Sequence, residues 1–329
     1  MKTLKYIFLL IPLFTIVTFS NALTTINNIN FNISIVETAY EIYSLESFDE
    51  TFYKDNNAQK HYIWLLNYKN NLDKTQKKEL SSLFEDVALR NYIKFILEND
   101  ILSFNDLILN IKNDNSLGLT DTQKDDFKNF FTSFYNDFNF YFNKQSFILS
   151  SKISDIKNSV DNFKYEEFIK ELSGKNFNDN YDFNFYYSLS PKFNHLFKTD
   201  KNIVSIITSS HDAKDIIRIC SDFYVDKILN ELNYNTSFFN TSMSLKSNHL
   251  ALNDYENYRN SYSFKEYLIE NLNEGFLKYL DYKFYNITYD FSNYTYDLDF
   301  YNYLITINFD PTKHNLIDEC INFYVSKED

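Results

Sequence analysis

Between residues 37 and 172 the apolar positions recur at intervals of three and four, which predicts helices over 37–48, 56–71, 75–98, 102–113, 120–147 and 148–172. Two of these starts carry a local mark: Asp73-x-x-Gln76 and Thr120-x-x-Gln123 each offer a capping side chain and a reciprocal partner three residues on. The most aromatic segment, with Phe127, Phe130, Phe131, Phe134 and Phe138, reads as core-forming helix. Ahead of it, 30–36 alternates Phe31, Ile33 and Ile35 with polar neighbours and predicts a strand. Strand patterns return at 182–190, with Phe183, Phe185 and Tyr187, and at 202–208, with Ile203, Val204, Ile206 and Ile207. Pro191 and the stretch 192–201 between them predict a hairpin-like connection. The helical period resumes over 213–232 and 264–282, the second opened by Ser263-x-x-Glu266, and an aromatic stretch at 294–307 precedes a helix at 314–325. No repeat and no Pro/Gly/Ser linker interrupts the chain. The expectation is a mainly helical α+β fold, one domain over 23–329, with a helical half at about 37–172 and a half at about 180–329 in which a small sheet precedes two long helices.

The N-terminus has a different pattern. Lys2 and Lys5 precede an apolar run from Tyr6 to Phe19, and Ser20 and Ala22 stand where a signal peptidase reads small residues. The run is shorter than the roughly 20 residues of a membrane-spanning helix, so 1–22 is expected to be a cleaved signal peptide and the protein to be secreted or periplasmic. Loss of the two lysines takes the net charge from −13 to about −15. An acidic chain with both signs of charge interspersed repels a phosphate backbone, so nucleic acid is not an expected partner. With 44% hydrophobic residues, 34 Phe and 28 Tyr, the chain has the material of a packed core rather than of a disordered segment. Its 3 Gly, at 118, 174 and 275, are too far apart for glycine-rich phosphate loops. The 44 Asn and five Asn-x-Ser/Thr sites at Asn32, Asn235, Asn240, Asn286 and Asn293 fit a compositional bias.

A small sheet, a long helix, an insertion and a second long helix is the order of zinc peptidases whose first helix carries HExxH and whose second supplies a glutamate. There, two His at i and i+4 hold zinc on one helix face and the Glu at i+1 polarises the bound water. This chain contains no HExxH. At the corresponding place stands Ile219-Cys220-Ser221-Asp222-Phe223-Tyr224-Val225-Asp226, and downstream Tyr267-Leu268-Ile269-Glu270-Asn271-Leu272 continuing to Leu277-Lys278-Tyr279-Leu280. Together with the aromatic stretch from Phe127 to Tyr135, these runs resemble a family of exported bacterial proteins of unknown function similar to gluzincin metallopeptidases. The resemblance extends over most of the chain as an order of elements with few identities. It implies a zincin-like fold in which Ser221 replaces the first ligand His, Asp222 the general-base Glu and Val225 the second His, while Glu270 keeps the third ligand position. Valine cannot coordinate and serine is a poor zinc ligand beside imidazole. The implied protein is therefore a pseudo-peptidase without a cofactor, with an unidentified protein or peptide as partner.

Two alternatives stay open. One is an active metal-dependent hydrolase with a shifted site of His211, Asp215 and Glu270, where His and Asp at i and i+4 open the first helix and zinc is the cofactor; against it, Ser210 or Asp212 serves equally well as a cap. The other is an unrelated secreted helical adhesin or effector, in which the helices bearing Asp222 and Glu270 need not pack together. A groove for a partner is expected beside the strand at 202–208, by edge pairing. His61, His195, His249 and His314 show no partner spacing. Cys220 and Cys320 lie on apolar helix faces without a neighbouring His; they are either buried free thiols or a disulfide closing a loop of about 100 residues, worth about 4 to 5 kcal/mol.

Overall fold

A computed structural model describes residues 25–27, 29–45, 52–53, 55–161, 168, 171–172, 182–199, 203–209, 212–247 and 249–328. The segment 1–22 lies outside the described residues, as do Ser210 and His211. The chain is mainly helical with one small mixed sheet, and the sheet lies between two apolar cores.

The first core gathers around α1 (Phe31–Ser44). Residues 30–36 therefore begin a helix and not a strand: Asn30 caps it by accepting the Ile33 N–H at 3.0 Å. The alternation misleads because α1 is the central helix, packed by α2 (Asn56–Asn71), α3 (Lys74–Phe84), α4 (Leu89–Glu98), α5 (Phe104–Asn113) and α6 (Asp121–Asp161). Even Asn32, Ser34, Glu37, Thr38 and Glu41 are buried, so α1 has no wide polar face from which a helical period could be read. The expected helix at 75–98 is two helices, broken at 85–88 without Gly or Pro; Tyr92 of the second bonds back to the Leu83 carbonyl of the first at 2.9 Å. The expected helices at 120–147 and 148–172 instead form one, α6, continuous to Asp161 and about 60 Å long at ~1.5 Å per residue. Its first half buries Phe127, Phe130, Phe131, Phe134 and Phe138 in the first core, and Ile153, Ile156 and Val160 enter the second.

The sheet has the order β1 (Thr25–Asn27), β2 (Asp182–Tyr187), β4 (Ile203–Thr208), β3 (His195–Lys198). β2 and β4 are parallel, with Phe185 opposite Ile206, so the predicted hairpin between 182–190 and 202–208 is not formed. The intervening chain crosses over and supplies β3, which pairs antiparallel with β4 and makes the hairpin there. Of the run 202–208, expected to offer an edge, the described part, Ile203–Thr208, is interior. It is hemmed in by β2 and β3, and the edge on that side is β3. The two faces follow the period of two. Phe183, Phe185, Tyr187, Val204 and Ile206 pack into the second core, and Phe197 and Ile207 into the first. A sheet covered on both sides explains why β4 is a nearly continuous apolar run.

The second core is built from α7 (Ala213–Leu229), a 3-10 turn (Asn230–Tyr234), α8 (Thr236–Leu245), α9 (His249–Tyr255), α10 (Phe264–Tyr285), α11 (Asp297–Thr306) and α12 (Leu316–Val325). The Ser263/Glu266 capping box opens α10 as its sequence predicts. α10 lies against α11 more extensively than any other pair of elements, and Gly275 is where they approach: a Cβ there would stand 2.5 Å from the Asp297 carbonyl. Beside it Lys278 and Asp297, both fully buried, form an ion pair at 2.5 Å, and Asp297 also accepts the Asn293 N–H at 2.9 Å. No helix among the described residues is long and apolar enough to cross a membrane.

Candidate functional site

α7 follows β4 after a short connection, and Asp212 caps it, accepting the Asp215 N–H at 3.0 Å while Asp215 accepts the Asp212 N–H at 3.4 Å. Its buried face carries Ile216, Ile217, Cys220, Tyr224, Ile228 and Leu229. Ser221 and Val225 lie within this face: both are fully buried, and the Ser221 hydroxyl donates to the Ile217 carbonyl at 2.5 Å. Neither lines the cavity that Glu270 lines. The side of α7 turned to α10 carries Arg218, Ile219 and Asp222 beside Glu270, and Ile217, Arg218 and Ser221 beside Leu277, Leu280 and Asp281.

Asp222 and Glu270 do come together. They line one cavity of about 270 Å³ between α7 and α10, with Asn273 and Glu274 from α10 and Tyr294 from the segment before α11. Asn273 Nδ2 donates to Asp222 Oδ1 at 2.6 Å, tying the two helices at the floor of the cavity. Arg218 is occupied on the rim: its two terminal nitrogens each reach a carboxylate at 2.8 Å, Glu274 and Asp281, and one also donates to Tyr289 at 3.2 Å. Glu270 makes no hydrogen bond or ion pair among the described residues.

Electrostatics follow from this arrangement. Burial first, and then the charges of Asp222, Asp226 and Glu274, raise the Glu270 carboxyl to about 7. Burial also raises Asp222, with the Asn273 hydrogen bond acting against it. The Glu270 charge is the leading cause that lifts the Tyr262 phenol. Near neutrality Glu270 is therefore partly protonated, which relieves its repulsion with the ionised Asp222, Asp226 and Glu274. The cavity is rich in acceptors, and the cation in its lining, Arg218, is already engaged.

Of the shifted site, Asp215 and Glu270 are described and His211 is not. Asp215 is spent in the cap, and Asp222 is seven residues beyond Asp215 along α7, a rise of about 10 Å. Among the described residues no group of three or more His, Cys, Asp and Glu side chains is arranged to hold a metal ion. Cys220 on α7 and Cys320 on α12 are unbridged and buried, and burial raises both thiols above their usual range.

No protein-family model, curated protein or solved structure matches this chain.

The sequence reading missed a second polar cluster, in the first core. Glu37 and Glu41, one turn apart on α1, are both buried. His61 Nε2 lies 2.7 Å from Glu41 Oε2, and its Nδ1 lies 2.5 Å from the Tyr141 hydroxyl. His195 on β3 stands 3.4 Å from Glu37, which also accepts the Ser188 hydroxyl at 2.8 Å. The signal was two Glu at i and i+4 inside the apolar run of α1; the His partners, 20 and 158 residues away by number, had none.

Proposed function

We propose that this chain is an exported binding protein on a zincin-like frame, a pseudo-peptidase whose interhelical site recognises a ligand and does not hydrolyse it. The observation that carries the reading is the convergence of Asp222 and Glu270 on one cavity between adjacent helices, where the gluzincin resemblance expects the reactive centre. The reading as an unrelated helical protein does not require these two helices to pack side by side. The residues at the positions facing α10 favour binding over hydrolysis. Arg218 cannot serve as a metal ligand, Ile219 cannot act as a general base, and Asp222 is held by Asn273.

Metal analysis of purified protein, paired with a peptidase assay with and without chelator, tests this. The expectation is substoichiometric zinc and no chelator-sensitive hydrolysis. One zinc per chain together with chelator-sensitive hydrolysis sinks the proposal, and loss of both in His211→Ala would assign the shifted site. N-terminal sequencing of exported protein, expected to begin at Leu23, tests the export reading.

A further inference from the structure

We propose that Glu37 and His195 form a proton-controlled latch between α1 and β3, closed while the pair holds a proton and released when that proton is lost. The latch lies in the first core, apart from the cavity between α7 and α10.

α1 carries two buried carboxyls one turn apart, and their surroundings differ. Glu41 is matched on both oxygens: Tyr53 donates to Oε1 at 3.3 Å, and His61 Nε2 lies 2.7 Å from Oε2. Glu37 accepts the Ser188 hydroxyl on Oε2 at 2.8 Å. Its Oε1 stands 3.4 Å from His195 Nε2, and neither atom makes a hydrogen bond although both are buried. No lysine or arginine among the described residues is paired with Glu37. Ionised Glu37 beside a neutral imidazole is therefore an uncompensated negative charge closed off from water, which burial strongly disfavours. One proton on either partner brings the pair to net zero, as an ion pair or as a neutral carboxyl beside a neutral ring. Burial accordingly raises the Glu37 carboxyl above its usual range; the His195 and Ser188 contacts act against the rise, and the charge of Glu41 adds to it.

Glu41 stands on the same helix as Glu37, Tyr53 on the connection to α2, His61 on α2 and Tyr141 on α6, and these four are joined to one another. Arg90 on α4 lies over the Phe197 ring at 4.4 Å, and Lys192, ahead of β3, over the Tyr53 ring at 5.3 Å. Neither cation is within ion-pair distance of Glu37. Among the described residues no ionisable side chain of α3 or α5 is hydrogen-bonded or ion-paired to Glu37 or Glu41.

Of the two elements joined by the latch, β3 is the one that yields. α1 is packed by five helices, whereas β3 is a four-residue edge strand paired on one side only. Beyond that pairing it is held by Phe197, which packs into the first core, and by Arg90, which donates to the Leu196 carbonyl at 2.7 Å. Water reaching Glu37 where β3 meets α1 is the smallest opening that solvates the charge. Full release uncovers the side of β4 with which β3 now pairs. Stability contributed by a raised carboxyl is fully present below its ordinary 4.5 and is lost as the pH rises through the folded value, so the latch opens on the alkaline side.

Amide hydrogen exchange of the full mature chain at pH 6 and pH 9, with the intrinsic pH dependence of exchange divided out, tests the latch. Protection of the hydrogen-bonded amides of 195–198 should fall about tenfold or more at pH 9, while α1 stays protected and Trp64, which stacks on Tyr141 beside the matched pair, keeps its emission. Glu37→Gln carries no charge at either pH and should hold the strand equally at both. His195→Phe fills the place of the ring flanked by Phe193 and Phe197 but leaves the Glu37 charge without a partner, so its loss of protection at pH 9 should exceed that of the wild type. This variant decides where Glu37→Gln does not fold, and a loss no larger than the wild type's overturns the inference. A wild-type strand equally protected at both pH values overturns it too, as does a Glu37→Gln strand that keeps the wild-type dependence. Loss spread evenly over both cores, with the Trp64 emission changing in step, assigns the effect to global unfolding and overturns the latch as well.

Discussion

At the scale of single residues the molecule departs most from its sequence pattern where ionisable groups are buried. Glu270 is the clearest case, because burial and three neighbouring carboxylates raise it from 4.5 to about 7. A carboxyl whose folded value is raised binds more protons folded than unfolded, so its contribution is fully present below 4.5 and is lost as the pH rises through about 7. Gln is nearly isosteric with the protonated form. Glu270→Gln should therefore raise the melting temperature at pH 8 and leave it unchanged at pH 4. Thermal melts at the two pH values check this, and a lower melting temperature at pH 8 would mean that the ionised carboxylate makes a stabilising contact. The pair of Lys278 and Asp297 departs in the same way: a lysine in the middle of α10 reads as a solvated position, yet it is fully buried and also donates to the Phe291 carbonyl at 2.9 Å. Its acid partner lies 19 positions downstream, beyond the reach of any local pattern.

At the scale of elements, local chemistry was legible and long-range packing was not. The capping boxes at Asp73, Thr120 and Ser263 form as their spacing predicts, since a cap involves only residues three apart. The bounds of α2 coincide with the predicted 56–71 because that helix keeps a wet face. α1 was obscured because neighbours cover it all round, which removes the polar face from which a helical period is read, whereas β4 was read as a strand and only its interior place in the sheet was missed. The site was half legible. Asp222 and Glu270 were found because the order of elements placed them on facing helices; the burial of Ser221 and Val225 was not legible, because the buried face of α7 is fixed by its tertiary packing with Ile217, Cys220 and Tyr224. The contact of α10 with α11 gives a test at this scale. Gly275→Ala gains about 1 kcal/mol of helix propensity, but the new Cβ would meet a backbone carbonyl at 2.5 Å and Phe300 Cβ at 3.1 Å. Overpacking against backbone costs about 1 to 3 kcal/mol, so the expected net effect is destabilisation. Urea denaturation of the variant measures it, and a gain in stability would show that α11 yields without cost.

At the scale of the whole molecule, the sheet is the element on which both cores depend. β4 sends Val204 and Ile206 into the second core and Ile207 into the first, so neither helical layer can leave without exposing one face of the same strand. α6 adds a second tie, with its early aromatics in the first core and Ile153, Ile156 and Val160 in the second. Two cores that share a sheet and a helix should melt together, although each is built largely from its own stretch of chain. The single tryptophan makes this measurable. Trp64 stacks on Tyr141 at 4.1 Å between ring centroids and reports on the first core alone. Phe185 is fully buried on the opposite face of the sheet. Phe185→Ala removes about 3 to 5 kcal/mol from the second core, and the Trp64 fluorescence midpoint should fall with it, coincident with the far-UV circular dichroism midpoint. If fluorescence instead holds the wild-type midpoint while the dichroism splits into two transitions, the halves unfold independently and the shared sheet does not couple them.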